Sequence, residues 1–379
     1  RESYMNDVIL NLEAVDKFYG PIDQGVHAVC NISMQVSSGE IIALLGSSGC
    51  GKTSTLRMVA GFEDVSRGKI SIRGREIHTL PPIQRNVAMA FEGYSLYPTV
   101  TVRDNIAFAL KRGKLPAADV ARKVEDIAAM LEISDILDKY PSSISGGQQQ
   151  RASLGRALIR DADLYLLDEP MGQLEPQLRT LLRGRIKSYI KEHGFTAILV
   201  THDQTEANAL ADRIAVMEDG ELQQFASPEA IKKSPANLFT GTFVGEPPMN
   251  VFPALVNISE AAVTFKLESD VQLTYALDAF STELRARLAT VGEVVLGVRP
   301  YAVERRQTGS PATVVANQWL GDQSHIAANF AGGSIVLVEH DRTHLEKGQK
   351  IFIHLEPSNI HIFNPATGIA ISHGARLVG

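Results

Sequence analysis

The chain has 379 residues, enough for two or three domains, and its 44% hydrophobic content supports an ordinary buried core. Its 37 basic and 43 acidic residues leave a formal charge of −6, which gives a nucleic-acid polyanion no electrostatic handle. Cys30 and Cys50 are the only cysteines, which excludes a disulfide framework and suits a reducing compartment.

In chain order, the short apolar runs Val8-Ile9-Leu10, Val29 to Val36 and Ile41 to Leu45 lie between turns and predict strands. The third run enters Gly46-Ser47-Ser48-Gly49-Cys50-Gly51-Lys52-Thr53, which fits the pattern G-x-x-x-x-G-K-[ST]. A helical stretch from Ser54 to Ala60 leaves the loop and stops at Gly61. Strand, glycine-rich loop and helix in this order aim backbone N–H groups and a helix N-terminus at a phosphate. Lys52 is expected to reach the β- and γ-phosphates of a nucleoside triphosphate, and the Thr53 hydroxyl to hold Mg²⁺.

Residues 70–77 predict a strand pair around Gly74, and from Thr101 to about Glu132 the spacing becomes helical. There Val120, Val124, Ile127, Met130 and Leu131 share one apolar face. A Gly-Gly turn at 146–147 precedes a helix to Arg160, and Leu164 to Leu167 then predict a strand ending in Asp168-Glu169-Pro170. A helix over about 176–193 follows, then a strand from Thr196 to Val200 ending in Thr201-His202-Asp203. This alternation argues a mainly parallel sheet with helices on its faces. Beyond Glu246-Pro247-Pro248 the character changes to short β segments, at Val294 to Val298, Thr313 to Ala316, Ile335 to Val338, Ile351 to Leu355 and Ile360 to Phe363. Their spacing predicts a small all-β barrel, with Trp319 in its core.

The acidic pair adds chemistry to the phosphate loop. Asp168, at the end of a buried strand, suits a Mg²⁺ ligand, and Glu169 suits a base that polarises water for attack on the γ-phosphate. Ser145, Gly146, Gly147 and Gln148 open a helix and offer a second anion site at its N-terminus.

Followed by Gln149-Gln150-Arg151, this segment resembles the signature motif of the ABC-transporter ATPases. Nearly the whole chain resembles the ATPase subunit of carbohydrate-uptake ABC importers of the maltose-importer type. In the C-terminal part the resemblance rests on Val298-Arg299-Pro300, Leu320-Gly321 and the run from Leu355 to Phe363. It implies an α/β P-loop NTPase fold, an ABC-type ATPase domain over 1–240 with a helical subdomain at about 93–157. An OB-like regulatory domain of the TOBE type follows over 241–379. It implies that ATP is held by Tyr19, Gly46, Ser47, Ser48, Gly49, Cys50, Gly51, Lys52, Thr53 and Ser54, and Mg²⁺ by Thr53, Glu92 and Asp168. Tyr19 would stack on adenine; the alternative for that residue is a core aromatic. Glu169 and His202 would be catalytic, and Ser145 to Gln148 would meet ATP held by a partner subunit. The implied partners are a second ATPase, two membrane permease subunits and, indirectly, a solute-binding protein, with a sugar, polyol or glycerol-type solute as cargo. No apolar stretch approaches the roughly 18 residues that span a bilayer, and the start carries no signal-peptide pattern. The expected location is therefore the cytosolic face of the membrane.

Four departures from the family pattern carry weight. Glu92 follows Met89-Ala90-Phe91 where the family has glutamine, and Gly172-Gln173-Leu174-Glu175 stands where it has Ser-Ala/Asn-Leu-Asp. Gln149 replaces an arginine, and Tyr301 a glutamate. A glutamate about 6 Å from the γ-phosphate adds roughly 3 kcal/mol of repulsion at an effective dielectric near 20, before any Mg²⁺ screening. The resemblance implies that Glu92 belongs to the chain's own ATP site, whereas Gly172 and Glu175 would face the neighbour's. The expectation is therefore pairing with a second, non-identical ATPase, with a homodimer as the alternative. The rival readings are a subunit that binds ATP but hydrolyses it weakly or not at all, and a soluble ABC ATPase of translation or DNA repair.

Overall fold

The computed structural model describes residues 7–22, 24–110, 115–374 and 376–378, and the chain divides into units 1–228 and 229–379. The first unit runs β1 (Val8–Tyr19), β2 (Val26–Ser37), β3 (Ile41–Gly46), α1 (Lys52–Ala60), β4 (Arg67–Ile72), β5 (Arg75–Glu76) and β6 (Val87–Ala90). It continues with α2 (Val102–Ala107), α3 (Ala117–Met130), α4 (Gly146–Leu158), β7 (Leu164–Asp168), α5 (Pro176–Glu192), β8 (Ala197–Thr201), α6 (Gln204–Leu210), β9 (Arg213–Glu218) and β10 (Glu221–Ala226).

Every residue of β3, β7 and β8 is buried, as strands covered on both faces require. They lie in a six-stranded sheet of order β10-β9-β3-β8-β7-β6, parallel except for the β9–β10 pair. Parallel pairing brings the carboxyl ends of β3, β6, β7 and β8 to one edge, where ligands of open α/β sheets bind. A second, antiparallel sheet of order β2-β1-β4-β5 shares one core with α1 and the parallel sheet, through Leu12, Ile70, Leu56, Leu44 and Leu166.

In the helical part, Val124, Ile127, Ala128 and Leu131 are buried while Val120 and Met130 are half-buried, so the apolar face is turned slightly from the one expected. Gly146 and Gly147 are not a turn but the first two residues of α4. Ser145 caps them: its Oγ accepts from Gln148 N at 3.3 Å, and its own N–H donates to Gln148 Oε1 at 2.9 Å.

In the second unit, strands 272–276, 262–266, 250–258, 293–298, 360–363, 370–373 and 376–377 form one antiparallel sheet in that order. Strands 303–306, 350–355, 310–319, 324–330 and 333–339 form another. Phe252, Phe265, Val314, Ile326, Ile353 and Ile362 belong to one core that both sheets share, giving the small β domain the sequence predicts. Trp319 is not in that core. It ends its strand with 39% of its surface exposed beside Leu320, and the aromatic filling falls to Phe252, Phe265, Phe280 and Phe330.

The compact units part before the expected 240/241 boundary. The buried Arg299 guanidinium explains this, donating to Gly241 O at 2.8 Å, to Val244 O and to Lys232 O at 3.2 Å. Leu238 N also donates to Gly368 O at 2.8 Å. Tyr301, where the family has glutamate, carries Lys232 Nζ 4.6 Å above its ring.

Two imidazoles in this unit face each other, with His361 Nδ1 and His373 Nδ1 2.8 Å apart. Burial holds His361 neutral, pushing it down to about 3, with the charges of His373 and Arg299 adding to the effect; burial also lowers His373. Because the folded values lie below the unfolded one near 6.5, this stability is complete above about pH 6.5 and is lost as the pH falls below it. Fluorescence of the sole tryptophan, Trp319, reports on this unit. Between pH 7.5 and 5.5 its unfolding midpoint should fall by several degrees in the wild type. In the His361→Asn/His373→Asn variant the midpoint should vary less steeply. Equal slopes would show that the pair titrates as it does in water.

Candidate nucleotide site

The loop between β3 and α1 needs glycine at two points. A Cβ on Gly46 would lie 2.2 Å from Met217 O, and Gly51 has φ 96° with a Cβ position 2.4 Å from Ala28 O. Gly51 also stands at the N-cap of α1 with no side chain to bond the first turn, so those N–H groups face the loop. Lys52 is buried and arches over the loop, its Nζ donating to Gly46 O at 2.9 Å and Ser47 O at 2.7 Å, 3.6 Å from Cys50 Sγ.

One turn on, Ser54 Oγ lies 3.0 Å from the Tyr19 hydroxyl. Tyr19 is 41% exposed, with Lys17 Nζ 4.9 Å from the centroid of its ring, so it is a surface platform beside the loop rather than a core aromatic.

Thr53 Oγ1 donates to Asp168 Oδ1 at 3.4 Å, joining the loop to the end of β7. Burial pushes Asp168 up to about 6, helped by the charges of Glu92 and Glu169 and opposed by Arg57 and the Thr53 hydrogen bond. Glu92, beyond the end of β6, lines a hollow of about 480 Å³ with Arg57, Phe91, Tyr94, Asp168 and Gln173. An oxygen set of hydroxyl and carboxylates on rigid strand and helix ends fits a hard cation such as Mg²⁺.

Glu169 adopts φ 46°, a left-handed conformation that costs a non-glycine residue of order 1–3 kcal/mol and must be held by its surroundings. Its N–H donates to Val200 O at 3.0 Å, and its carbonyl accepts from Gln150 Nε2 at 2.8 Å. Its carboxylate Oε1 lies 3.0 Å from His202 Nδ1. The structure thus brings the phosphate loop, Tyr19, Glu92, the acidic pair and His202 together at one sheet edge. Ser145 is exposed at the start of α4, its side chain bonded to Gln148.

Sequence reasoning missed the network behind His202. Thr201 Oγ1 accepts from Asp203 N at 3.0 Å and donates to the buried Glu206 Oε2 at 2.8 Å. Arg179 Nη1 bonds Asp203 Oδ2 at 3.1 Å, and Nη2 bonds Gly172 O at 3.3 Å and Leu174 O at 3.2 Å. The available signal was the spacing Asp203-x-x-Glu206, a helix-start pattern. Asp203 does cap α6, accepting from Glu206 N at 3.0 Å, but the Glu206 carboxylate turns inward to Thr201.

A doubly covered parallel sheet carrying these groups defines an ATP-binding domain of the ABC ATPase class. Residues 29–172 match the ABC transporter family and residues 296–363 the TOBE domain. The chain is 39% identical to a trehalose/maltose import ATP-binding protein, MalK, of Thermococcus litoralis, over 91% of this chain and 96% of that one. It is 37% identical to an sn-glycerol-3-phosphate import ATP-binding protein of Agrobacterium fabrum, over 95% and 93%. The ATP-binding cassette MJ0796, solved as a dimer bound to ADP and phosphate, superposes with a TM-score of 0.54 at 25% identity, covering 58% of this chain and 98% of that one. The chain belongs to the family of ATP-binding subunits of ABC importers of the maltose-importer type.

Burial pushes Glu206 up to about 7, with Asp203 adding to the effect and the Thr201 hydrogen bond opposing it. A raised carboxyl value means the fold prefers the neutral form, so stability is present below about pH 4.5 and is lost as the pH rises towards 7. Glu206→Gln, neutral throughout, should gain about 2–3 kcal/mol on the wild type between pH 5 and pH 8. Denaturant titrations at the two pH values measure it; a pH-independent gap would show that the carboxyl titrates as in water.

Proposed function

We propose that this chain hydrolyses ATP to power uptake of a sugar, polyol or glycerol-type solute through an ABC importer. The observation that carries the reading is the convergence of Lys52, Thr53, Asp168, Glu169 and His202 at the carboxyl ends of β3, β7 and β8. The names of the relatives, which import trehalose, maltose or glycerol 3-phosphate, supply the solute class.

Tyr19 stacks on the base, and the main chain of Gly46 to Thr53 wraps the phosphates. Lys52 exchanges its loop carbonyls for phosphate oxygens, and Ser54 fixes the Tyr19 hydroxyl. Thr53, Asp168 and Glu92 would hold Mg²⁺, which when bound offsets the charge of the β- and γ-phosphate oxygens. Glu169 accepts a proton from the attacking water, and His202, 3.0 Å away, keeps its carboxylate oriented towards the γ-phosphate. Ser145, Gly146, Gly147 and Gln148 present the α4 N-terminus to ATP held by a second ATPase subunit.

Among the described residues no helix is long and apolar enough to cross a membrane. In this reading, as with the import ATP-binding relatives, separate permease subunits supply the path. A groove of about 470 Å³ lined by Phe62, Ile83, Met89, Phe91, Tyr97 and Phe108 offers them an apolar seat on the first unit. Ile83, Phe62, Tyr97 and Phe108 are all exposed there, so the groove has an apolar rim of the kind that marks an interaction site. On this reading the subunit sits peripherally on the cytosolic face, and a solute-binding protein acts through the permease.

Glu92 adds a carboxylate to the chain's own site, whereas Gly172 and Glu175 alter the face offered to the neighbour. Pairing with a non-identical ATPase would separate the two changes into different sites.

Glu169→Gln should lower turnover by about 10²–10⁴-fold while ATP still binds, as nucleotide titration of the purified chain would show. Wild-type turnover in that variant would sink the assignment. Purification of the chain with its partners in mild detergent, followed by intact-mass analysis, should return two membrane proteins and a second ATPase of different mass. Self-pairing would rule out the unequal pair, and the absence of any membrane protein would overturn the importer reading.

A further inference from the structure

The Tyr94 hydroxyl donates to Gln173 Oε1, across the hollow that also holds Glu92 and Asp168. The two residues belong to different loops. Tyr94 is on the segment that follows β6 and leads to the apolar groove; Gln173 is on the segment that follows Asp168 and Glu169. Each is tied to α4. Gln173 N donates to Gln150 Oε1 at 3.0 Å, and the same amide donates through Nε2 to Glu169 O at 2.8 Å. Arg156 Nη1 donates to Ser95 O at 2.7 Å, and its guanidinium stands 5.6 Å from the centre of the Tyr97 ring that lines the groove.

Two further observations mark the contact as more than surface chance. Tyr94 and Ser95 have φ 54° and 49°, consecutive left-handed residues that persist only where neighbours over-determine them. A Cβ on Gly146 would lie 2.8 Å from Gln173 Oε1 and 3.0 Å from the Tyr94 hydroxyl. The hydrogen-bonded pair therefore lies directly against the glycine that opens the Ser145 helix.

We propose that the Tyr94–Gln173 hydrogen bond is a latch. It makes the position of the groove-side loop determine the position of the loop after Glu169 and of the Ser145 helix start. Tyr94 and Gln173 are thus positioning residues for hydrolysis, acting through Glu169 and the partner-facing surface without touching ATP. The inference rests on the ATPase reading above, because it concerns how that reaction is controlled.

The test is a double-mutant cycle on the purified full chain with Mg-ATP, using Tyr94→Phe and Gln173→Met, which remove the donor and the acceptor at nearly constant volume. Each single variant should lower kcat by about tenfold with KM for ATP within about twofold, and the double variant should be no slower than the slower single. Hydrogen exchange supplies a second readout in the Glu169→Gln background. With the latch intact, ATP should protect segments 92–98 and 171–175 together; in Tyr94→Phe it should protect only one of them. Multiplicative losses in the cycle, or joint protection in Tyr94→Phe, would overturn the latch. Failure of the wild-type chain to bind or hydrolyse ATP would instead overturn the ATPase reading, so the two failures are distinguishable.

Discussion

The register of β8 between β3 and β7 is the constraint on which the rest of the first unit depends. Leu44 pairs with Val200, Leu45 with Thr201, and Asp168 with Val200. These pairings end the three strands level with one another, so the phosphate loop, the acidic pair and His202 emerge side by side. A slip of one residue would turn each buried side chain to the opposite face and carry Asp168 away from Thr53. Full burial along all three strands makes such a slip costly. The apolar sequences of these strands thus do two jobs: they build the core, and they aim the polar residues that follow them.

A second device recurs in both units and holds helix ends in place. Three buried arginines end on helix-terminal carbonyls instead of carboxylates. Arg85 donates to Met58 O at 2.6 Å and Val59 O at 3.2 Å, at the end of α1. Arg151 donates to Leu131 O at 3.0 Å and to Glu132 O, just past the end of α3, and Arg299 serves the 238–243 helix of the second unit in the same way. Burial lowers the pKa of each guanidinium, yet arginine remains charged, and its fork bonds several carbonyls where the helix dipole is negative. Lysine would supply the charge but not the geometry. At Gly61 the fit is close enough that a Cβ would lie 2.5 Å from Arg85 Nε.

The legible parts of the sequence were those where chemistry is local. Gly46 to Thr53 announces itself because glycines, lysine and threonine must be adjacent to wrap a phosphate, and Asp168-Glu169 because a strand must end there. Long-range polar contacts were hidden. Nothing near Gln173 in sequence points to Tyr94, and the spacing Asp203-x-x-Glu206 signals only a helix start, whereas the inward turn of Glu206 depends on Thr201 across a β–α connection. Trp319 misled for a related reason: apolar character predicts burial only when the strand has a partner layer at that level, and this strand outruns its core. The domain boundary was obscured because the residues from Glu229 to Thr240 carry no β pattern, although Arg299 and Gly368 hold them in the second unit.

The same accounting explains why local rules are broken at the nucleotide edge. Asp168 is buried among the charges of Glu92 and Glu169 with only Arg57 and a hydroxyl opposing them, and Glu169 is held in a backbone conformation that its side chain disfavours. Neither arrangement helps the fold. Both make sense if the edge is complementary to a charged complex that arrives from solution. A cation among the carboxylates removes their mutual repulsion, and phosphate against the α1 N-terminus meets N–H groups that no side chain caps. The nucleotide edge thus carries like-charge repulsion that a bound cation would relieve, and through the proposed latch the free energy released there is available to move the loops carrying Tyr94, Gln173 and Ser145.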